Sequence, residues 1–182
     1  MATDFTSLSD SEIQALTTAQ IAALSASDIA TMSAAQVALL SADQVAAIKT
    51  TILATFSTDQ MAGFQNSQIA AFTTAQAAAL KSSQIGALTG SQIAAFETAD
   101  FAKISSAGIK GLTATQITSV TADQIAAMST AMVANLAVDV VSALSDTQVA
   151  ALTATQVGVL TTAHIAGLSV AQLNALDAAD FS

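Results

Sequence analysis

The chain has 182 residues and a formal net charge of −9, with four lysines and no arginine. Nucleic acids and anionic membranes bind clusters of Lys and Arg, so this acidic balance argues against both as partners. Apolar residues make up 53% of the chain, but Ser, Thr and Gln interrupt them every few positions. No segment is therefore long and apolar enough for us to expect membrane insertion.

The most regular feature of the sequence is an eight-residue repeat, the octad. Residues 16–23 read Leu-Thr-Thr-Ala-Gln-Ile-Ala-Ala, and an apolar residue recurs at the Leu position from Leu8 to Leu176. We name columns by position: the Leu column, the cap column directly after it, the Gln column four residues after the Leu, and the Ile column one residue later. No linker interrupts the repeat, which predicts a single domain over residues 1–182.

Each octad contains a complete signal for the start of a helix. Thr17 stands at an N-cap position with Gln20 three residues later, which is the spacing of a capping box. Leu16 precedes the cap and Ile21 follows it by four residues, so these two side chains can form a hydrophobic staple. The next octad repeats the signal, and the sequence therefore predicts one short capped helix per octad.

Longer elements do not fit this period. Eight residues of one continuous helix turn about 80° beyond two full turns, so the apolar residues would circle the helix instead of forming a stripe. Two-residue alternation fails because the Leu and Ile columns are five residues apart within an octad and three apart between octads. We expect an all-α solenoid, in which stacked octads bury the apolar columns that one octad cannot bury alone.

The cap column gives an indication of how many octads make one structural repeat. Four cap-column residues lack a good capping oxygen and stand sixteen residues apart: Lys49, Gln65, Lys81 and Glu97. This spacing predicts two octads per structural repeat, with three per turn left open. The apolar residues of the Leu and Ile columns are predicted to form the core.

The Gln column is apolar at Ile52, Met132 and Val140. One interpretation is local repacking of the core, and the other is a lateral contact patch for self-assembly. His164 is the single histidine, and we expect it to make the same polar contact at a helix start as Gln. The scattered acids and hydroxyls form no catalytic or metal-binding motif, so we expect no enzyme, cofactor or small-molecule substrate.

The two ends of the chain keep the apolar pattern, in Phe5 and Leu8 at one end and in Leu176 and Phe181 at the other. Monomeric solenoids normally end in polar capping repeats. These four residues therefore predict head-to-tail contacts between copies of the chain. Contacts of that kind propagate into filaments unless a ring closes.

Tracts such as Leu16–Leu24 resemble the octapeptide repeats of very large secreted bacterial surface proteins, which are described as adhesin-like. The resemblance implies a structural role as an extracellular matrix or spacer module. Residues 1–4 lack the features of a signal peptide, so secretion without a cleavable N-terminal signal is expected. Two alternatives remain: an ice-binding surface of Thr, Ser and Ala, and a designed consensus scaffold.

Overall fold

The structure is a computed structural model that describes residues 3–176. Within that range the chain forms α-helices of four to six residues and two 3-10 helices, with no β-strand, as the sequence predicts. In chain order the elements are η1 (Phe5–Ser7), α1 (Asp10–Gln14), α2 (Thr18–Ala22), α3 (Ala26–Ala30), α4 (Ala34–Val37), α5 (Ala42–Ala46), α6 (Thr50–Leu53), α7 (Thr58–Ala62), α8 (Asn66–Ile69), α9 (Thr74–Ala79), α10 (Ser82–Ala87), α11 (Gly90–Ala95), α12 (Thr98–Phe101), η2 (Ile109–Gly111), α13 (Ala114–Ile117), α14 (Ala122–Ala127), α15 (Thr130–Ala134), α16 (Val138–Ser142), α17 (Asp146–Ala150), α18 (Ala154–Val157), α19 (Thr162–Gly167) and α20 (Val170–Ala175).

The predicted capping box forms at the helix starts. In α2 the Thr17 hydroxyl accepts from the Gln20 N–H at 3.2 Å, and Gln20 Oε1 accepts from the Thr17 N–H at 2.8 Å. Both bonds recur in most of the later helices, α9 and α18 among them. Each box satisfies backbone donors that a helix start leaves free.

Several helices, α9, α10 and α14 among them, end directly before a Leu-column residue that has left the helical conformation, and others end one or two residues earlier. At the end of α9, the Leu80 N–H donates to the Ala77 carbonyl at 3.3 Å, and Leu80 itself has φ −65° and ψ 136°. The cap residue that follows is also extended, as in Lys81 with φ −85° and ψ 159°. We call this pair of extended residues a corner, because it redirects the chain into the next helix.

Three octads, or 24 residues, make one turn of the solenoid. Helix α5 packs against α2 in the preceding turn and against α8 in the following turn, and the same step of three octads relates α17 to α14 and to α20. The prediction of two octads per structural repeat is wrong. The sixteen-residue spacing of Lys49, Gln65, Lys81 and Glu97 marks octads that lack a capping oxygen, and a step of sixteen places successive ones on different sides of a three-sided turn.

The core fills the inside of the turns, as predicted. Leu-column residues from Leu24 to Leu152 and Ile-column residues from Phe5 to Val157 are at most 6% exposed. Four phenylalanines pack together in its middle. Phe56 and Phe64 are stacked with ring centroids 5.7 Å apart, and Phe72 packs edge to face against Phe64 at 5.2 Å and against Phe96 at 5.7 Å. Phe72 and Phe96 are one turn apart, so the cluster connects adjacent turns.

Candidate functional site

The most distinctive polar feature is a glutamine that connects each corner to the turn before it. Gln76 is 1% exposed, and its Oε1 accepts from the Thr73 N–H at 2.9 Å to cap its own helix. Its Nε2 donates to the Val45 and Ile48 carbonyls, both at 2.8 Å. Val45 lies in the last turn of α5, where its carbonyl also accepts from the Ile48 N–H at 3.1 Å, and Ile48 lies two residues beyond that helix.

The same arrangement recurs along the solenoid, with each Nε2 donating to the carbonyl 28 residues earlier and often to another two or three residues before that. We call this series the glutamine ladder. Its buried members, each at most 7% exposed, are Gln44, Gln60, Gln68, Gln76, Gln84, Gln92, Gln116, Gln124, Gln148, Gln156 and Gln172.

The ladder was missed in the sequence, although a signal for it was present. A capping box accepts Glu as readily as Gln, and the helix dipole favours Glu. The column nevertheless contains Gln at most positions and Glu once, at Glu12. Besides capping its helix, the residue in this column must donate an amide N–H to the carbonyls of the preceding turn. A carboxylate cannot make that bond, which explains the preference for Gln.

His164 makes the helix-start contact of a Gln-column residue, as predicted, and it also takes the place of a ladder glutamine between two turns. Its Nδ1 lies 3.2 Å from the Thr161 N–H, and its Nε2 lies 3.1 Å from the Leu136 carbonyl. These partners assign the ring proton to Nε2, so that Nδ1 accepts and Nε2 donates. Both ring nitrogens are engaged in holding two turns together, and the ring is 3% exposed.

The ladder is interrupted at five interior positions: Ile52, Asp100, Gly108, Met132 and Val140. Met132 and Val140 are each 1% exposed and belong to the core, in keeping with local repacking, whereas Ile52 is partly buried. Gly108 lies so close to the preceding turn that an added Cβ would stand 2.6 Å from the Leu80 carbonyl oxygen. Burial raises the pKa of Asp100, and the neighbouring charge of Glu97 adds to that effect.

The ends of the described chain differ from each other. In the first turn Phe5 is fully buried and Leu8 is partly buried. In the last turn Leu176 is 6% exposed, whereas Val170 and Leu173 are 75% and 40% exposed. Phe181 lies outside the described residues. Among the described residues, Val170 and Leu173 are thus exposed apolar side chains of the last turn, which the sequence pattern did not single out.

Acids stand in the Gln column of the first turns. Glu12 Oε2 accepts from the Ser9 N–H at 2.8 Å, and the hydroxyl and N–H of Ser9 hold the pKa of Glu12 below its usual value. Asp28 accepts the Ser25 N–H through Oδ2 at 2.7 Å and the Thr3 N–H through Oδ1 at 2.6 Å. The Ser25 N–H is the largest cause of the lowered pKa of Asp28, followed by the Ser25 hydroxyl.

A metal site, a pocket and a membrane span would each require particular features of the described residues. Residues 3–176 contain no group of three or more His, Cys, Asp or Glu side chains that could hold a metal ion. The depressions on the surface are shallow and open, such as the one beside a corner lined by Phe64, Gln65, Thr89 and Gln92. Across the part of the chain that the structure covers, every helix is too short to cross a membrane.

Two stretches of the chain match the ALTTAQ repeat. The family model of that description aligns with residues 53–90 and again with residues 93–130. The six letters also occur literally at residues 15–20, outside the matched ranges. No curated protein and no solved structure matches the chain. The matches support a tract of tandem repeats, in agreement with the octads and the solenoid.

Proposed function

We propose that the chain is a structural spacer, a rod-like repeat module that holds its two ends at a set distance. The observation that carries this proposal is the glutamine ladder together with the continuous core. Each turn is joined to the one before it by buried side chains and by hydrogen bonds to backbone carbonyls, as at Gln76 and Gln156. Joints of this kind favour a rod that does not bend freely at any linker.

The dimensions follow from the turn. Residues 3–176 correspond to about seven turns of three octads, and packed helices lie roughly 8–10 Å apart. The rod is therefore on the order of 60–70 Å long. Each additional turn adds one helix diameter, so the number of octads sets the length.

The polar side chains support a structural role over an enzymatic one. Cap-column hydroxyls such as those of Thr73 and Thr153 accept backbone N–H groups, and His164 uses both ring nitrogens between two turns. The same engagement of the cap hydroxyls weighs against the ice-binding alternative, which needs threonine side chains arrayed toward solvent. We therefore propose no substrate and no cofactor.

An extracellular or cell-surface location is part of the proposal. It is supported by the resemblance of the octads to repeats of secreted surface proteins, by the ALTTAQ matches and by the low charged fraction of 9%. Head-to-tail association of copies remains a prediction of the sequence pattern. Glu12 and Asp28, the acids in the Gln column of the first turns, affect whether a second copy can stack on this end.

The spacer proposal is tested by measuring a distance and then lengthening the rod. The chain contains no cysteine, so Ala35→Cys and Ala171→Cys, both at exposed positions, place two spin labels without competition. A second, longer variant carries the same two labels and an inserted copy of residues 65–88 after Leu88. We expect a narrow distance distribution in double electron–electron resonance, displaced by roughly 8–10 Å in the longer chain.

The matched control inserts 24 residues of Gly and Ser at the same point, which should broaden the distribution because such a linker is a flexible coil. An equally broad distribution for the inserted repeat turn would contradict the spacer proposal. So would an unchanged distance.

A further inference from the structure

The Gln column changes its chemistry at the N-terminal end of the solenoid. In the interior its side chains both accept a cap N–H and donate to the preceding turn, as Gln76 does. In the first turns the column contains Asp4, Glu12, Gln20 and Asp28. Three of these four are carboxylates, which can accept hydrogen bonds and cannot donate them when ionised.

The hydrogen bonds of Asp28 show the difference most directly. An interior glutamine offers its Nε2 to a carbonyl 28 residues earlier, whereas Asp28 receives the Thr3 N–H on the corresponding oxygen. Both carboxylate oxygens of Asp28 are thus filled by backbone N–H donors. Neither carboxylate oxygen of Asp28 can donate a hydrogen bond to the carbonyl of a turn stacked in front of it.

Glu12 has the same character. Its Oε2 accepts from the N–H and the hydroxyl of Ser9, at 2.8 and 2.6 Å. A turn stacked on this end would bring the carbonyl oxygens of a helix C-terminus against the Glu12 carboxylate. Two negative groups would then face each other without an intervening proton, and the carboxylate would lose water.

The apolar part of the end surface would otherwise accept a turn. Leu8 and Leu16 are only partly buried, while the next Leu-column residues, Leu24 and Met32, are 6% and 4% exposed. The core columns therefore do not close the end by themselves. The Gln column distinguishes this end from an interior turn.

We propose that the turn from Asp4 to Asp28 is a capping turn, a surface that rejects a further turn of the same repeat. The rejected turn can belong to a second copy of the chain or to repeats placed upstream in the same chain. Addition at this end fails for lack of amide donors and through repulsion between carboxylate and carbonyl. Head-to-tail filaments that use this surface are therefore disfavoured.

Asp100 supplies an internal comparison. Asp100 and Asp28 are both buried, at 7% and 5% exposed. The pKa of Asp100 is raised by burial and by Glu97, whereas the Ser9 hydroxyl and N–H lower the pKa of Glu12 and the Ser25 N–H and hydroxyl lower that of Asp28. A carboxylate in this column therefore favours its charged form where hydrogen-bond donors reach it, and the carbonyl oxygens of an added turn would supply none.

The test adds a turn in front of the proposed cap. A copy of residues 65–88 is fused directly before Met1, which continues the octad register so that the added carbonyls would face Glu12, Gln20 and Asp28. The copy carries S67A, T74S and S83A at exposed positions, which give its peptides distinct masses. Amide hydrogen exchange then reports whether the added turn docks.

In the unchanged background we expect the added turn to exchange at least tenfold faster than residues 65–88 in the interior. Glu12→Gln should slow its exchange at least tenfold, and Glu12→Gln with Asp28→Gln should slow it further. Asp10→Asn is the matched control, because it removes one charge from the same octad outside the Gln column. It should leave the exchange of the added turn unchanged.

Two results would overturn the proposal. In the first, the added turn is equally protected in the unchanged background and in the glutamine variants, so that the carboxylates do not exclude it. In the second, the added turn stays unprotected in the double variant although circular dichroism shows the rest of the chain folded. Exclusion at this end would then have another cause.

Discussion

A buried ladder glutamine such as Gln76 is held by three hydrogen bonds, one accepted from Thr73 and two donated to Val45 and Ile48. Its oxygen serves its own helix, and its nitrogen serves the preceding turn. Glutamate has the same shape and could make the first bond, but it would place a charge against two carbonyl oxygens. Glutamate could therefore cap its own helix but could not join that helix to the preceding turn, and only glutamine does both.

Gln76→Glu should lower the free energy of unfolding by about 3 kcal/mol or more at pH 7, because a buried charge loses its donors and faces acceptors. The matched control is Gln20→Glu. Gln20 is exposed, and within residues 3–176 its side chain makes only the capping bonds to Thr17, which glutamate retains. Urea denaturation of the two variants should show a large loss for the first and a change within about 0.5 kcal/mol for the second. Equal losses would mean that the cross-turn bonds add nothing beyond capping.

Asp100→Gln should stabilise the chain, by about 1 kcal/mol at pH 7, through a new bond from Nε2 to the Phe72 carbonyl and the loss of a buried charge. Burial and Glu97 raise the pKa of Asp100 above its ordinary value of 3.8. A group with a raised folded pKa binds its proton more tightly in the folded state, so its contribution to stability falls as pH rises from that value.

The stabilising effect of Asp100→Gln should therefore shrink when urea denaturation is repeated near pH 3.5, where Asp100 is largely protonated in the folded chain. Asp123→Asn, at an exposed position outside the Gln column, is the control. It should show neither the gain at pH 7 nor the pH dependence.

At the scale of the element, each helix of four to six residues is too short to persist alone. Capping at its start and the ladder at its end supply hydrogen bonds that a longer helix would make internally. Packing between turns is close where the eighth octad residue meets the start of a helix in the preceding turn. At Gly63, the eighth residue of its octad, an added Cβ would collide with the Ala34 carbonyl oxygen of the preceding turn. Gly158 is the seventh residue of its octad, and the nearest atom to an added Cβ would be the Ala154 carbonyl oxygen of its own helix, 3.4 Å away.

Gly63 tests the turn-to-turn distance, and Gly158 is the control for replacing a glycine by alanine away from the preceding turn. Both end a helix in right-handed helical conformation, with φ −72° at Gly63 and φ −63° at Gly158. Gly63→Ala should lower the thermal stability, with a cost of about 1–3 kcal/mol for overpacking. Gly158→Ala should be neutral or stabilising by up to about 1 kcal/mol, because alanine favours the helical conformation. A similar effect at both sites would show that the turns can separate without loss.

At the scale of the whole molecule, the ladder is not evenly distributed. Asp100 and Gly108 interrupt two successive corners, and the octad that ends at Leu112 forms only the 3-10 helix η2 in place of an α-helix. Met132 and Val140 interrupt two further corners. By contrast, glutamine stands at every corner from Gln60 to Gln92 and again at Gln148 and Gln156. In a solenoid, stability depends on such neighbouring contacts, so the middle of the rod should be its least stable part.

Native-state hydrogen exchange should therefore show the lowest protection in residues 97–111, with higher protection in residues 66–95 and 146–157. We expect the difference in opening free energy to be about 1–3 kcal/mol, the cost of leaving buried carbonyls without donors. Peptides that span these segments can be compared by mass spectrometry in one experiment. Uniform protection along the rod would contradict an uneven ladder as the origin of its stability.

The sequence by itself determined every feature that depends on contacts within one octad. The capping box of Thr17 and Gln20, the burial of the Leu and Ile columns and the role of His164 were all predicted, because their signals lie within eight consecutive residues. The all-α solenoid followed from the mismatch between a period of eight and the helical period.

Only the tertiary structure decided how octads combine. Three octads per turn depend on the extended dihedral angles of two corner residues, such as Leu80 and Lys81, and no residue pattern expresses the sum of those angles. The second hydrogen bond of each ladder glutamine reaches 28 residues back, so its partner could be named only once the turn was known. The effect of an acid in the Gln column also depends on the turn that it faces. It could therefore be assessed only once the number of octads per turn was known.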